Sequence, residues 1–156
     1  MPSFSLKMAS ATMSIIYLIG ALLTLANWLL GLSGLKGIEE IGGITIPSDP
    51  GAFIVLFTIG LVYAGALCYN RDRAKSFSCI FIASALALAL VVINTLVALA
   101  STANAAILSL LGELSNNIIT VLEEALSFDV ILGVFSIPLL IFSIKELRSL
   151  TRQSPP

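Results

Sequence analysis

Few residues of this 156-residue chain are equipped for chemistry, and their types narrow the options quickly. There is no histidine, which removes imidazole acid–base catalysis, haem ligation by His and most zinc sites together. The two cysteines, Cys68 and Cys79, flank a short basic stretch. Positions 68 and 79 are too far apart for the C-x-x-C spacing of thiol oxidoreductases. They read as small buried hydrophobes near a cytoplasmic face, where thiols stay reduced, with a disulfide across the hairpin as the alternative. The carboxylate pairs Glu39-Glu40 and Glu123-Glu124 are sequence neighbours; on a helix neighbours point in different directions, so neither pair is a general acid and base. No phosphate-binding glycine loop, nucleophile with its base, or metal-ligand spacing is present. The expectation is a non-enzyme with no cofactor and no metal.

Four polar residues remain. Asn94 stands alone as a strongly polar side chain inside a long apolar run and needs a partner; Asn27 of the first run, at a similar depth, is the expected one. Polar bonds between membrane helices average below about 1 kcal/mol, so such a pair would fix register more than add stability. A functional polar site at Asn94 is the sharper alternative. Asp129 is the acid nearest an apolar run and Lys36 is basic at the same end. Either Ser127 or Asp129 caps the start of the fourth run and complements the helix dipole, or Asp129 pairs with Lys36, since first and last helices of an antiparallel four-helix bundle are neighbours.

The elements that must position these residues follow from composition. At 58% hydrophobic and 11% charged, with mean hydropathy +1.05, the chain lies outside the range of soluble domains and reads as one integral membrane domain. Apolar runs long enough to cross about 30 Å of hydrocarbon cover residues 10–30, 52–69, 77–100 and 126–144. The first is preceded by a short polar start, Met1 to Met8, and continues past Trp28, too long for a signal-peptide core. Gly31 and Gly34 loosen its exit into an outer loop, 31–51, where Gly42-Gly43, Pro47 and Pro50 mark turns around an extended piece, Ile44 to Ile46; a β-ribbon there is only weakly signalled. Gly60, Ala64 and Cys68 lie at four-residue spacing on the second span, and Ala83 and Ala87 continue a narrow ridge on the third. Small residues at that spacing let helices approach closely in lipid. Pro138 removes one backbone bond from the fourth span and bends it.

Between the third and fourth spans, the segment 101–125 carries Ile107, Leu110, Leu111, Leu114, Ile118, Val121, Leu122 and Ala125 at three- and four-residue steps, with polar residues opposite. This predicts an outer amphipathic helix whose stripe, with Leu111 and Ile118 at its centre, packs on the bundle, the interface or another subunit. Its polar face has no Lys or Arg, which argues against adsorption to anionic lipid.

Sidedness comes from the island at 70–76, which holds Arg71, Arg73 and Lys75. Cytoplasmic loops retain basic residues. With this loop inside, Lys7, Arg71, Arg73, Lys75, Lys145, Arg148 and Arg152 are cytoplasmic, seven of the eight basic residues, and both termini are inside. Glu39, Glu40, Asp49, Glu113, Glu123, Glu124 and Asp129, seven of the nine acids, form an acidic outer rim. The predicted fold is therefore all-α, a plasma-membrane bundle of four antiparallel spans with an added outer helix. Net charge −1 gives no field for nucleic acid. Its expected partners are the bilayer and other membrane subunits or further copies of itself. Charge-free span interiors favour a structural or accessory subunit of a larger assembly over a small oligomeric channel or carrier, whose acidic rim would concentrate cations.

Overall fold

The computed structural model describes residues 2–38, 40–41, 44–69, 72–110 and 127–153. The chain is all-α apart from one two-residue ribbon: α1 (Pro2–Leu32), β1 (Glu40–Ile41), β2 (Ile44–Thr45), α2 (Pro50–Cys68), α3 (Arg73–Leu110), α4 (Phe128–Phe135) and α5 (Ile137–Gln153). Leu6–Leu32, Pro50–Cys68, Arg73–Leu108 and the α4–α5 stretch Phe128–Thr151 are long and apolar enough to cross a membrane. Leu111, Ile118 and the rest of the expected amphipathic helix beyond Leu110 lie outside the described residues, as do Asn70 and Arg71.

Several helices run past their expected ends. Residues 2–8, read as a polar start, are already helical, with Pro2 first, where its missing N–H costs nothing. Residues 101–106, read as a connection, and 107–110, read as the start of a separate amphipathic helix, instead continue α3 to 38 residues, about 57 Å at 1.5 Å per residue. The polar segment after Ile144 is likewise helical through Gln153. In all three places the apolar run ends before the helix does, because Ala, Leu, Lys, Glu and Arg are good helix formers and no glycine or internal proline stops them.

Where helices do end, specific caps do it. The amide of Leu35 donates to Leu30 O at 3.0 Å and that of Gly34 to Gly31 O at 3.1 Å, the paired bonds of a Schellman close. Gly34 supplies the left-handed residue it requires, φ 72°. Asp49 starts α2: its backbone is extended and its Oδ1 accepts from Ala52 N at 2.8 Å, with Pro50 first in the helix. Asp72 starts α3, accepting from Lys75 N at 3.2 Å and pairing with Lys75 Nζ at 3.3 Å. The ribbon pairs Glu40 with Thr45 and Ile41 with Ile44, so the weak signal near Ile44 corresponds to real strand pairing. Phe128–Gln153 is interrupted at Ser136, whose N–H reaches both Leu132 O and Gly133 O at 3.1 Å, two residues before Pro138; the helix resumes when Leu140 N donates to Ser136 O at 3.0 Å.

The helices pack through small and hydroxylated residues. Ser10 Oγ donates to Tyr63 O at 3.1 Å and Ser14 Oγ to Gly60 O at 2.9 Å, so position falls along α2 as it rises along α1. Ser76 Oγ donates to Ala66 O at 2.8 Å, tying the start of α3 to the end of α2. Gly20 of α1 receives the Phe128 ring, and Gly133 of α4 receives Val91 and approaches Ala87 O of α3. The core contains Tyr17, Leu56, Ile59, Tyr63, Ile80, Ala83, Ala87 and Leu132. Outside it lie the large apolar chains, among them Ile15, Leu22, Ile54, Val92, Leu96 and Phe142.

Two expected outcomes follow from these contacts. A Cβ at Gly133 would overlap Val91 and sit 2.9 Å from Ala87 O, whereas Gly31 has nothing within 4 Å. Gly133→Ala should therefore lower thermal stability in detergent by about 1–3 kcal/mol through overpacking, and Gly31→Ala should not lower it. Equal effects in circular-dichroism melts would contradict the close α3–α4 approach. The Asp72 carboxyl is held below the usual carboxylate range, first by the backbone N–H of Lys75. A carboxyl lowered by folding stabilises above its unfolded value, and the contribution disappears as pH falls through the folded one. The amide protection factors of Lys75 and Ser76, referred to the intrinsic exchange rate at each pH, should fall only under such acid conditions.

Candidate functional site

Two groups of polar side chains lie among the helices, and they differ in how completely they are satisfied. The first joins α1, α2, α3 and the Ser136 break. Tyr17 and Tyr63 stack with centroids 5.9 Å apart and planes 28° apart. The Tyr17 hydroxyl and Ser136 Oγ share a hydrogen bond of 3.3 Å, and the Tyr63 hydroxyl and Ser84 Oγ one of 2.8 Å. Ser136 Oγ also reaches Leu132 O at 3.1 Å. Both tyrosines are fully buried. Each hydroxyl has a partner, so this group fixes helix register and offers no free atom to a ligand.

The second group lies where the ribbon, the start of α2, α3 and the start of α4 converge. Ser127 forms a parallel bridge with Thr45, which carries β2 to the N-terminus of α4. Its extended backbone occupies the cap position, and its carbonyl accepts from Val130 N at 3.1 Å and Ile131 N at 3.3 Å, but its hydroxyl does not cap. Asp129, in the first turn, sits near the positive end of the helix. Its Oδ2 accepts a short hydrogen bond from Asn94 Nδ2. Its Oδ1 is buried without a partner, the one such side-chain atom among the described residues, although the residue is only 4% exposed. These two residues help to line a pocket of about 460 Å³, together with Ser48, Asp49, Ser127, Val55, Leu90 and Val97. Among the described residues no basic side chain lines it.

Both expected pairings of the polar residues are corrected. Asn27 does not meet Asn94; its amide is used on the backbone of Ile38, donating to the carbonyl at 2.6 Å and accepting from the N–H at 2.9 Å. That bidentate clamp holds the segment after α1 against its own helix, the nearest source of unsatisfied backbone. Lys36 does not meet Asp129 either. It is exposed and lines a separate pocket of about 300 Å³ with Asn27, Gly31 and Gly37, on the side to which the Ile38 clamp draws it. The polar pair is formed by α3 and α4, and α1 takes no part in it.

The remaining candidates fall as follows. Gly60 is buried, and a Cβ there would sit 2.9 Å from Leu18 Cγ; Ala64 is half-buried and Cys68 exposed, so the small-residue row engages α1 at its Gly60 end. Ala83 and Ala87 are fully buried on α3. Pro138 borders an apolar hollow between α1 and α5 with Leu6, Met13 and Phe142. Cys68 and Cys79 are free thiols; the expected burial does not hold for Cys68, which lies at the last residue of α2. Among the described residues no three His, Cys, Asp or Glu side chains converge as a metal site would require.

Sequence reasoning missed Gly20, Gly133 and the inward serines Ser10, Ser14, Ser84 and Ser136. A usable signal existed for the serines at 10 and 14, which share a helix face at four-residue spacing with Tyr17 one turn on. No family profile, curated protein or solved structure matches the chain.

The Asn94–Asp129 geometry makes unequal demands on its two members. Asn94→Ala should leave both carboxylate oxygens without donors and lower stability by about 1–3 kcal/mol. Asp129→Asn keeps an acceptor for Asn94 and replaces the unpartnered carboxylate oxygen with a neutral amide, so it should cost less than Asn94→Ala. Detergent melts showing the reverse order would exclude this pairing.

Proposed function

We propose that the chain is an integral plasma-membrane protein, a four-span antiparallel bundle with both termini cytoplasmic, and that it serves as a non-catalytic structural or accessory subunit of a larger membrane assembly. The observation that carries this reading is the distribution of side chains on the four long helices. The mid-helix tyrosines and serines Tyr17, Tyr63, Ser14, Ser84 and Ser136 are turned inward and paired, the outward Thr58 and Thr95 bond carbonyls of their own helices, and only 22–28% of the most apolar stretch of each helix is buried within the chain. The uncovered remainder carries Ile15, Ile19, Leu22, Ile54, Val92, Ile93 and Phe142. An apolar surface of that extent on a soluble monomer would be an aggregation surface; in lipid it is the solvent-facing surface, and part of it is available to neighbouring helices.

The close approach at Gly60 and Gly133 supports the bundle. The basic residues after α2 and along α5 support the orientation. No Asp, Glu, Lys or Arg occurs in residues 8–32, 50–68, 76–108 or 130–144, which separates this reading from transport, whose paths place such groups at membrane depth. The alternative, a small channel or carrier, draws on the acidic residues near the pocket end, Asp49 and Asp129.

Orientation is tested by cysteines introduced in a Cys68→Ser, Cys79→Ser background. Ser48, in the loop before α2, and Ser149, near the end of α5, are both exposed. A cysteine at Ser48 should react with a membrane-impermeant maleimide on intact cells and one at Ser149 only after permeabilisation. The opposite pattern would invert the topology. Purification in mild detergent should give a particle larger than one chain with stoichiometric partners. A lone chain that carries monovalent-cation flux when reconstituted would instead establish the channel reading.

A further inference from the structure

We infer that the pocket at the convergence of β2, α2, α3 and α4 is a binding site for an alkylammonium group, with Asp129 as its counter-charge. The first ground is the unpartnered oxygen. Asp129 is 4% exposed and its Oδ2 is taken by Asn94, yet Oδ1 has no donor. A buried acceptor left unpaired is costly, and more so on a carboxylate. Every other buried side-chain polar atom among the described residues has found a partner, so the omission is specific to this place.

The second ground is what surrounds it. Among the described residues, the charged groups lining the pocket are Asp129 from α4 and Asp49 from the loop before α2; α2 and α3 contribute none, and no Lys or Arg lines it. Asp49 Oδ1 already caps α2 through Ala52 N. A cationic ligand would supply the positive charge that no described side chain provides there. A bare divalent ion is a poor match, since among the described residues no third acidic or soft ligand converges. The pocket's 460 Å³ lies within the range of small-molecule sites and far exceeds one ion.

The third ground is the shape of the polarity. Ser48 and Ser127 add hydroxyl acceptors for the remaining N–H groups of an ammonium, while Val55, Leu90 and Val97 provide an apolar wall along α2 and α3. A cationic head joined to an aliphatic body satisfies both. Two sources share that chemistry: a soluble alkylamine and the ethanolamine headgroup of a lipid. The inference does not depend on the accessory-subunit reading and would stand beside the alternative.

The test uses the full chain in phosphatidylcholine nanodiscs, with hexylamine as probe, hexanol as its neutral counterpart and sodium chloride as an ionic control, read by calorimetric titration and by thermal shift. Hexylamine should bind saturably and raise the melting temperature, and hexanol should not. Asp129→Asn should weaken hexylamine at least tenfold. Ala52→Phe, which fills the pocket without altering the carboxylate, should do the same and carries the test if the first variant does not fold. Nanodiscs containing phosphatidylethanolamine should raise the apparent Kd for hexylamine if the lipid headgroup is the natural occupant, and leave it unchanged if the occupant is soluble; either result supports an ammonium site. Equal responses to hexylamine and hexanol, hexylamine binding that survives both variants, or saturation by sodium alone would overturn it.

Discussion

The interior of this protein depends on hydroxyl groups that bond backbone carbonyls where helices come close. Ser14 reaches Gly60 O at 2.9 Å and Ser76 reaches Ala66 O at 2.8 Å. Both bonds need the neighbouring backbone to be near, and the absence of a side chain at Gly60 permits that at the first. Such a bond contributes about 1 kcal/mol at most sites, less than the burial of one large aliphatic chain. What it contributes is position. With Tyr17 and Tyr63 stacked between these contacts and hydrogen-bonded to Ser136 and Ser84, α1, α2, α3 and the α4–α5 break are held in one mutual register.

That arrangement explains the two halves of the final apolar stretch. A continuous helix through Pro138 would leave a carbonyl one turn back without its N–H donor and press the ring on that turn. Here the chain breaks at Ser136, whose hydroxyl bonds both Leu132 O and the Tyr17 hydroxyl. The interruption is thus fastened to α1 at the point where it occurs, a use of Ser and neighbouring helices that membrane proteins favour.

Much of this was legible before any coordinates. Four apolar runs stood out because hydropathy over some twenty residues is a strong signal, and they correspond to the four long helices. Their ends were not legible, because helix propensity continues through polar residues such as Lys145 and Arg148 after hydropathy has fallen. The polar contacts were misassigned for another reason. Depth alone matched Asn27 to Asn94 and Lys36 to Asp129, but depth does not say which helices touch. The sequence neighbours of Asn27 settle its case: the chain leaves α1 through the Gly34 turn, and Ile38 returns its free backbone groups to the Asn27 amide. Asn94 and Asp129 were both singled out, but neither was set against the other. Gly20 and Gly133 carried no such mark, since their role appears only once Phe128 and Val91 are seen to enter the space beside them.

The satisfied and unsatisfied polar groups divide along the helices in a physically consistent way. At mid-helix, where water would be scarce on the proposed membrane reading, every described buried hydroxyl is paired, as a medium without competing partners demands. The one open acceptor belongs to Asp129, in the first turn of α4, where the helix's own positive end already favours negative charge. Moving that carboxylate two turns deeper would remove the dipole and bring it among Leu132, Leu139 and Val91. At the start of α4 it costs less, and Asn94 orients it through one oxygen only. The loop carrying Ser48 and Asp49 closes over that end without supplying a cation, and the Thr45–Ser127 bridge holds the loop there. The fold has therefore built the walls of a charged pocket from the same elements that pin its strand ribbon, and has left the positive partner to come from outside the chain.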